Sequence, residues 1–590
     1  MTRCAQLYYP HRMRMDPIGT FRRGAVRASV LWLVLASLFG PVAGCSNKRD
    51  KESRKKAKPE PSRTQVTRSL KKEVDIGVAY SSEISLFMVE AIDHFNASRT
   101  AKNGKYIVTA HGTEIENERA VNDILDGSAQ PHVWVPSSDI YRVRLNRAWE
   151  ERYRRGADIA PDPRSLAHSP VVIAMWKPQA EALGWPNPLG WADIRKLADD
   201  ARGWAGLGHP EWGAFKLGVP EPGVSSVGLL AFLSMASGAP GGQLDKPAAQ
   251  AFVRTIERAA VHYSPSETFF FEKMMARGPT YLSAAIVPEN LVFASYQQSS
   301  NKKPPHDLVA IYPTEGTLSL DHPVVIMDAV WVEDEHKEAS RAFRDFLLGA
   351  EMQQLVLLRH GLRPADPGAD RTALKREVGV DGTQPQKSLP ALSPEAVASA
   401  LTAWPTVKKQ ADVVLVFDGS AAMAGESADR ARQTAVRLLD ALGPGTRADL
   451  LLANGTAPTS VELADVEEAR EALKKRVQES ASAGQTTWRD AIALAHQSLA
   501  RNTGRERIRA VIVLVAGPDE QSATSMAALT ETLGQGAGPD QGSIPVFIVG
   551  YGPDVDVRAV TRLAEASGGR FVLYDARSRR KVSAELAAYL

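Results

Sequence analysis

The stretch ADVVLVFDGSAAM, residues 411–423, decides the fold of the last part of the chain. Its apolar run, 413–417, suits a strand buried on both faces of a parallel sheet. Asp418 and Ser420 then fall at the carboxyl end of that strand, the edge at which open α/β sheets bind ligands and metals. Outward from it, Ala431, Ala435, Leu438, Leu439 and Leu442 share one face of a helix predicted over 427–442, which Gly443, Pro444 and Gly445 stop. The runs at 448–453, 509–516, 544–550 and 570–574 read as further strands, and 465–479 as an amphipathic helix. Strands alternating with helices predict a doubly wound parallel sheet covered on both faces.

Two further segments carry a resemblance. GQTTWRDAI (484–492) and VFIVGYGPDVDVRAVTRLAEASGGRFV (546–572), with the opening strand, make residues 411–590 resemble a von Willebrand factor type A (VWA) domain. The resemblance implies a Rossmann-like fold and a metal-ion-dependent adhesion site made of D-x-S-x-S, a distant threonine and an aspartate after the central strand. Such hydroxyl and carboxylate oxygens suit Mg²⁺. Asp418 and Ser420 match the first two positions and Thr486 the threonine. Ala422 stands at the third position and Gly517 at the aspartate's, with Asp519 two residues later. The metal site is thus degenerate, and the domain is expected to fold without the ion; Asp418 reads equally well as a helix cap.

The chain has 590 residues, enough for two or three domains. With 44% apolar and 24% charged residues, its composition is that of a globular protein. A net charge of +3 gives no argument for a nucleic-acid partner, and two cysteines exclude a disulfide framework.

At the start, Arg22, Arg23 and Arg27 flank the apolar run 28–44, which ends at Cys45. It is short for a membrane span and reads as a targeting segment over 1–45. Val42-Ala43-Gly44-Cys45 resembles a bacterial lipobox. That implies a lipidated Cys45 as the mature N-terminus and a membrane-attached protein facing the periplasm or the exterior. The other reading is an uncleaved anchor. Residues 46–72 are basic and nearly free of apolar side chains, as expected of a disordered tether.

Folding resumes at 73. Strands are expected at 74–80, 106–110, 132–136, 170–176, 214–218, 281–287, 308–313 and 322–332, with helices between; 170–176 and 322–332 read as crossings between two lobes. The serine pair after the first strand, SPVVIAMWKPQAEALGWP (169–186), MMARGPTYLSAAIVPENL and YPTEGTLSLDHPVVIMDA make 73–365 resemble an extracellular solute-binding protein of the two-lobed periplasmic type. Residues 366–408 read as an interdomain linker with one short helix at 394–403, and 409–590 form the VWA domain.

Ser81, Ser82, Ser137, Ser138, Ser225 and Ser226 each follow a predicted strand and precede a helix. Helix N-termini present free N–H groups that suit anions, and hydroxyls add donors without the desolvation cost of a charge. The three loops are expected to converge on a small polar solute or oxyanion, with Tyr281 as a wall. Each serine also suits an N-cap. No Ser-His-Asp arrangement, metal-binding histidine cluster or phosphate loop is evident, so no enzyme is expected. Two functions stay open: an anchored binding protein pairing solute and protein recognition, and a receptor delivering solute to an ABC-type permease.

Overall fold

The computed structural model describes residues 72–590 apart from 99–105, 155, 240, 243, 298–305, 367, 391, 456–458, 502–505, 536–543 and 575–580. Cys45, the targeting segment and the tether up to residue 71 lie outside the described residues.

The C-terminal sheet runs in the order Ala464–Asp465, Arg447–Ala453, Gln410–Asp418, Arg507–Val515, Val546–Gly550, Phe571–Leu573. All neighbours are parallel except the short first strand. Gln410–Asp418 is central and alternates between two cores. Val413, Leu415 and Phe417 face one apolar cluster; Val414 and Val416 face the other. That double burial is why the strand reads as an unbroken apolar run rather than an alternating one.

Two mixed sheets precede it. The first orders Tyr106–Glu114, Lys72–Tyr80, Val133–Val135, Pro323–Ile326 and Arg164–Ser165. The second orders Ser319–Leu320, Ala167–Trp176, Ala284–Pro288, Leu217–Pro220 and Ala260–Ser264, and Leu308–Ile311 and Arg363–Pro364 also pair with Ala167–Trp176. The chain passes from the first sheet to the second at Leu166 and returns at Asp321 and His322. These two crossings lie side by side: Leu166 N–H donates to His322 O at 3.1 Å and Ser165 Oγ donates to Asp321 O at 2.9 Å.

The 322–332 strand is shorter than its apolar content suggests. Pairing stops at Ile326; Asp328 N–H turns to Ile159 O and Val332 N–H closes on Ala329 O. The 281–287 strand begins only at Ala284, because a 3₁₀ turn at Gly278–Thr280 precedes it. A strand at Ala260–Ser264 and a helix at Glu267–Arg277 fill a region to which sequence patterning assigns nothing.

The helix Pro394–Val407 is capped by Ser393, whose Oγ accepts from Ala396 N–H at 3.2 Å. It buries Val397, Ala400, Ala403, Trp404 and Val407. Trp404 Nε1 donates to Glu221 Oε1 at 2.7 Å, and its ring meets Phe232 and Tyr263 edge-on. Beyond it, Lys409 N–H donates to Tyr263 OH at 2.6 Å. Tyr263 N–H donates to Tyr589 O, and Tyr589 stacks on Phe547 with centroids 4.1 Å apart. One buried apolar cluster therefore runs through both lobes and this helix into one face of the C-terminal sheet, with Trp134 and Tyr141 of the first lobe, Phe232 and Tyr263 of the second and Phe547 of the sheet among its members.

Candidate functional site

Both lobes present the carboxyl ends of parallel strands to the same cleft. Ser81 follows Lys72–Tyr80, Asn117 follows Tyr106–Glu114, and Ser137 follows Val133–Val135. From the second lobe, Ser225 and Ser226 follow Leu217–Pro220, Glu267 follows Ala260–Ser264, and Asn290 follows Ala284–Pro288.

The lobes touch through these side chains. Ser137 Oγ and Ser226 Oγ are 2.6 Å apart, across the cleft. Asn117 ties the pair together: its Nδ2 donates to Ser226 Oγ at 3.1 Å and its Oδ1 accepts from Ser137 N–H at 2.9 Å. Ser226 Oγ donates to Tyr141 OH at 3.2 Å. Asn290 Nδ2 reaches Glu83 O at 3.4 Å.

The other predicted residues separate. Ser225 accepts from Gly228 N–H as a helix cap and donates to Glu267 Oε2, both at 3.2 Å. Ser81 is 1% exposed, and its Oγ adjoins the Glu83 carboxyl without making a hydrogen bond of good geometry among the described residues. Ser82 lies beside the Glu116 carboxyl, and Ser138 beside the Asp321 carboxyl. Tyr281 does not wall the cleft. It stands before the amino end of Ala284–Pro288, the opposite end of the strand, and its OH meets His262 Nε2 at 2.7 Å. The largely apolar run 281–287 reads as one strand and hides the turn that moves it there.

Three carboxyls join the serines, and sequence reasoning passes over them. Burial raises Glu83, against the hydroxyls of Ser81, Ser226 and Ser137, which favour its charged form. Burial, then the charge of Glu83, pushes Glu116 up to about 7. Burial, then Glu83 and Glu116, pushes Glu267 well above the ordinary range. Each sits at or within the first turn of a helix that follows a strand. That placement is readable in the sequence, but a first-turn acid normally only complements the helix dipole.

At the C-terminal sheet edge, Asp418 is fully buried. Its Oδ1 accepts from Ser420 N–H at 3.0 Å and its Oδ2 from Ala516 N–H at 3.1 Å. Ser420 Oγ is buried without a partner among the described residues, and Thr486 Oγ1 lies 3.5 Å from Ala453 O. Gly517 and Ala422 face each other, for a Cβ on Gly517 would come within 2.7 Å of the Ala422 Cβ. Asp519 turns elsewhere: its Oδ2 accepts from Arg489 N–H and Ser522 Oγ, both at 2.7 Å. Among the described residues, no group of three or more His, Cys, Asp or Glu side chains is arranged to hold a metal.

The described residues form two α/β modules, each with a strand-end edge at which polar side chains gather. Residues 76–363 match the family described as bacterial extracellular solute-binding protein, and residues 412–585 match the von Willebrand factor type A domain. The chain thus joins a solute-binding-type domain to a VWA domain. Similar solved structures include the sulfate-binding protein SubI of Mycobacterium tuberculosis, with 17% identity, 50% of this chain and 88% of that one covered, and a TM-score of 0.35. The ferric binding protein of Campylobacter jejuni shares 12% identity over 56% of this chain and 98% of its own, with a TM-score of 0.41. A von Willebrand factor type A protein of Catenulispora acidiphila shares 20% identity over 31% of this chain and 42% of its own, with a TM-score of 0.26. No curated protein sequence matches the chain. No helix among the described residues is long and apolar enough to cross a membrane.

Proposed function

We propose that this protein is an extracytoplasmic binding protein, anchored through a lipid on Cys45, that takes a small polar solute between its lobes and meets a protein partner through its VWA domain. The observation that carries the solute reading is the cross-cleft contact of Ser137 with Ser226, organised by Asn117 at the carboxyl ends of strands from both sheets. Polar groups on separate lobes are the parts that a bound solute would bridge on closure. The cleft offers no nucleophile–base pair among the residues named, which favours binding over catalysis.

The VWA domain works without metal in this reading. Mg²⁺ requires several well-placed oxygens and few protein sites supply them all. Here one carboxylate, already engaged by two backbone N–H groups, stands with two hydroxyls. Ala422 and Gly517 contribute no side-chain oxygen, and Asp519 is committed to Arg489 and Ser522.

The alternative, a receptor delivering solute to a permease, fits the first domain alone. The buried contacts of Tyr263 and Phe269 of the second lobe with Tyr589, which stacks on Phe547 of the VWA sheet, favour the paired-binding reading. Any motion of that lobe on closure carries the VWA domain with it, so solute occupancy and partner recognition become linked.

The test is a thermal-shift screen of the full chain against amines, amino acids, sugars and oxyanions. A saturable shift is expected, because a ligand of the folded state stabilises by mass action. It should vanish in Ser226→Leu, which puts a branched apolar side chain against Ser137. If no compound shifts the melting temperature, the cleft is not a solute site.

A further inference from the structure

We propose that the solute of the interlobe cleft is a small organic cation bearing an ammonium group, received by the carboxyls of Glu83, Glu116 and Glu267. This rests on the reading of the cleft as a solute site and assigns the charge of its occupant.

The first argument is placement. Glu83 and Glu116 belong to one lobe and Glu267 to the other. Closure, held by the Ser137–Ser226 contact, brings the three into mutual influence. The charge that bears most on Glu116 and on Glu267 is another carboxylate, Glu83. Like charges gathered in a desolvated space oppose closure unless they are protonated or a cation lies among them. An added oxyanion would meet the same repulsion.

The second argument is the hydrogen-bonding capacity left over. Ser81 Oγ and Glu83 Oε2 are both buried, and neither makes a hydrogen bond within the usual geometric limits among the described residues. Ser81 approaches the Glu83 carboxyl, so the two open positions adjoin. Glu83 Oε1 is served only weakly, by Asn117 Nδ2 at 3.5 Å. A buried acceptor without a donor keeps its full desolvation cost. The serine hydroxyls supply one donor each to a place with several carboxylate oxygens, whereas an ammonium group brings three N–H bonds and no acceptor. An oxyanion brings acceptors to a place already rich in them.

The third argument concerns the helix N-termini. Their free N–H groups are what would recommend an oxyanion. Yet the turns at Ser82–Ile84, Asn117–Leu125 and Glu267–Arg277 each carry their own glutamate at the start. That complement is filled from within the chain. The choice between an organic ammonium and a metal ion follows from geometry, since the carboxyls are not grouped to ligate one ion.

The experiment is isothermal titration and thermal shift of the full chain with putrescine and ethylammonium chloride, against sodium sulfate, acetate and glucose, at matched ionic strength. The amines should raise the melting temperature saturably, and sulfate and acetate should not. Glu83→Gln and Glu267→Gln keep the side-chain shape and should each weaken the amine at least tenfold, with folding verified by circular dichroism. Stabilisation by sulfate, acetate or glucose without the amines overturns the cation and leaves the solute site standing. Amine binding indifferent to both substitutions also overturns the cation at this position. No response to any probe overturns the cation and the solute site together.

Discussion

Truncating Tyr589 to alanine should release the VWA domain from the second lobe. Tyr589 is 1% exposed. Its ring stacks on Phe547 at 4.1 Å and meets Phe269 edge-on at 5.3 Å. Phe547 lies on a strand of the VWA sheet and Phe269 on the helix that starts at the cleft with Glu267. A buried aromatic side chain removes ~150–250 Å² from water, which at ~25 cal/mol per Å² is roughly 4–6 kcal/mol. Alanine keeps the Cβ and the site partly relaxes, so the expected cost is about 3–5 kcal/mol, in line with aromatic truncations in other cores. The backbone bond from Tyr263 N–H to Tyr589 O survives the substitution. Because these buried contacts span the junction, calorimetry of the parent protein should show the second lobe and the VWA domain melting together. In Tyr589→Ala the VWA transition should separate and move down by several degrees. Tyr589→Phe is the control: it keeps the ring and its aromatic contacts and removes only the hydroxyl, which adjoins Arg570, so its loss should cost no more than ~1.5 kcal/mol. A Tyr589→Ala protein within ~1 kcal/mol of the parent, or a parent that already melts in two separate steps, refutes the shared core.

Glu257 is 1% exposed and burial pushes it up to about 8, with Tyr263 OH donating to its Oε2 at 3.0 Å. Its folded value lies above the unfolded one. The folded chain therefore holds a proton that the unfolded chain has lost, and this stabilising contribution disappears as pH rises through about 8. The melting temperature of Glu257→Gln relative to the parent should rise between pH 5 and pH 9; a difference that does not change with pH sinks the assignment. Calorimetric titration with Mg²⁺ should show no micromolar binding, and such binding abolished by Asp418→Ala would restore the adhesion site. Cys45→Ala should move the protein out of the membrane fraction or leave it uncleaved, and unchanged size and attachment would dismiss the lipid anchor.

The order of strands and helices was legible because each element is governed by its own sequence. The unbroken run 413–417 signals a strand between two cores, and Val413 and Val414 do face opposite clusters. The serine loops were legible because a strand end followed by Ser is a local pattern, and the structure brings Ser137 and Ser226 into contact. Side-chain destinations were not. The run at 281–287 reads as strand throughout, but a turn at Gly278–Thr280 leaves Tyr281 at the end away from the cleft, against His262. Asp519 looked available to the VWA site until Arg489 and Ser522, thirty residues upstream and three downstream of it, claimed its oxygens. Glu83, Glu116 and Glu267 looked like ordinary first-turn acids, because each suits its own helix. Only the fold gathers them, since the repulsion they share depends on distances between segments far apart in the chain. Local pattern fixes an element's type and register. Burial and charge at a site are sums over elements that meet only in three dimensions, and those the tertiary structure alone decided.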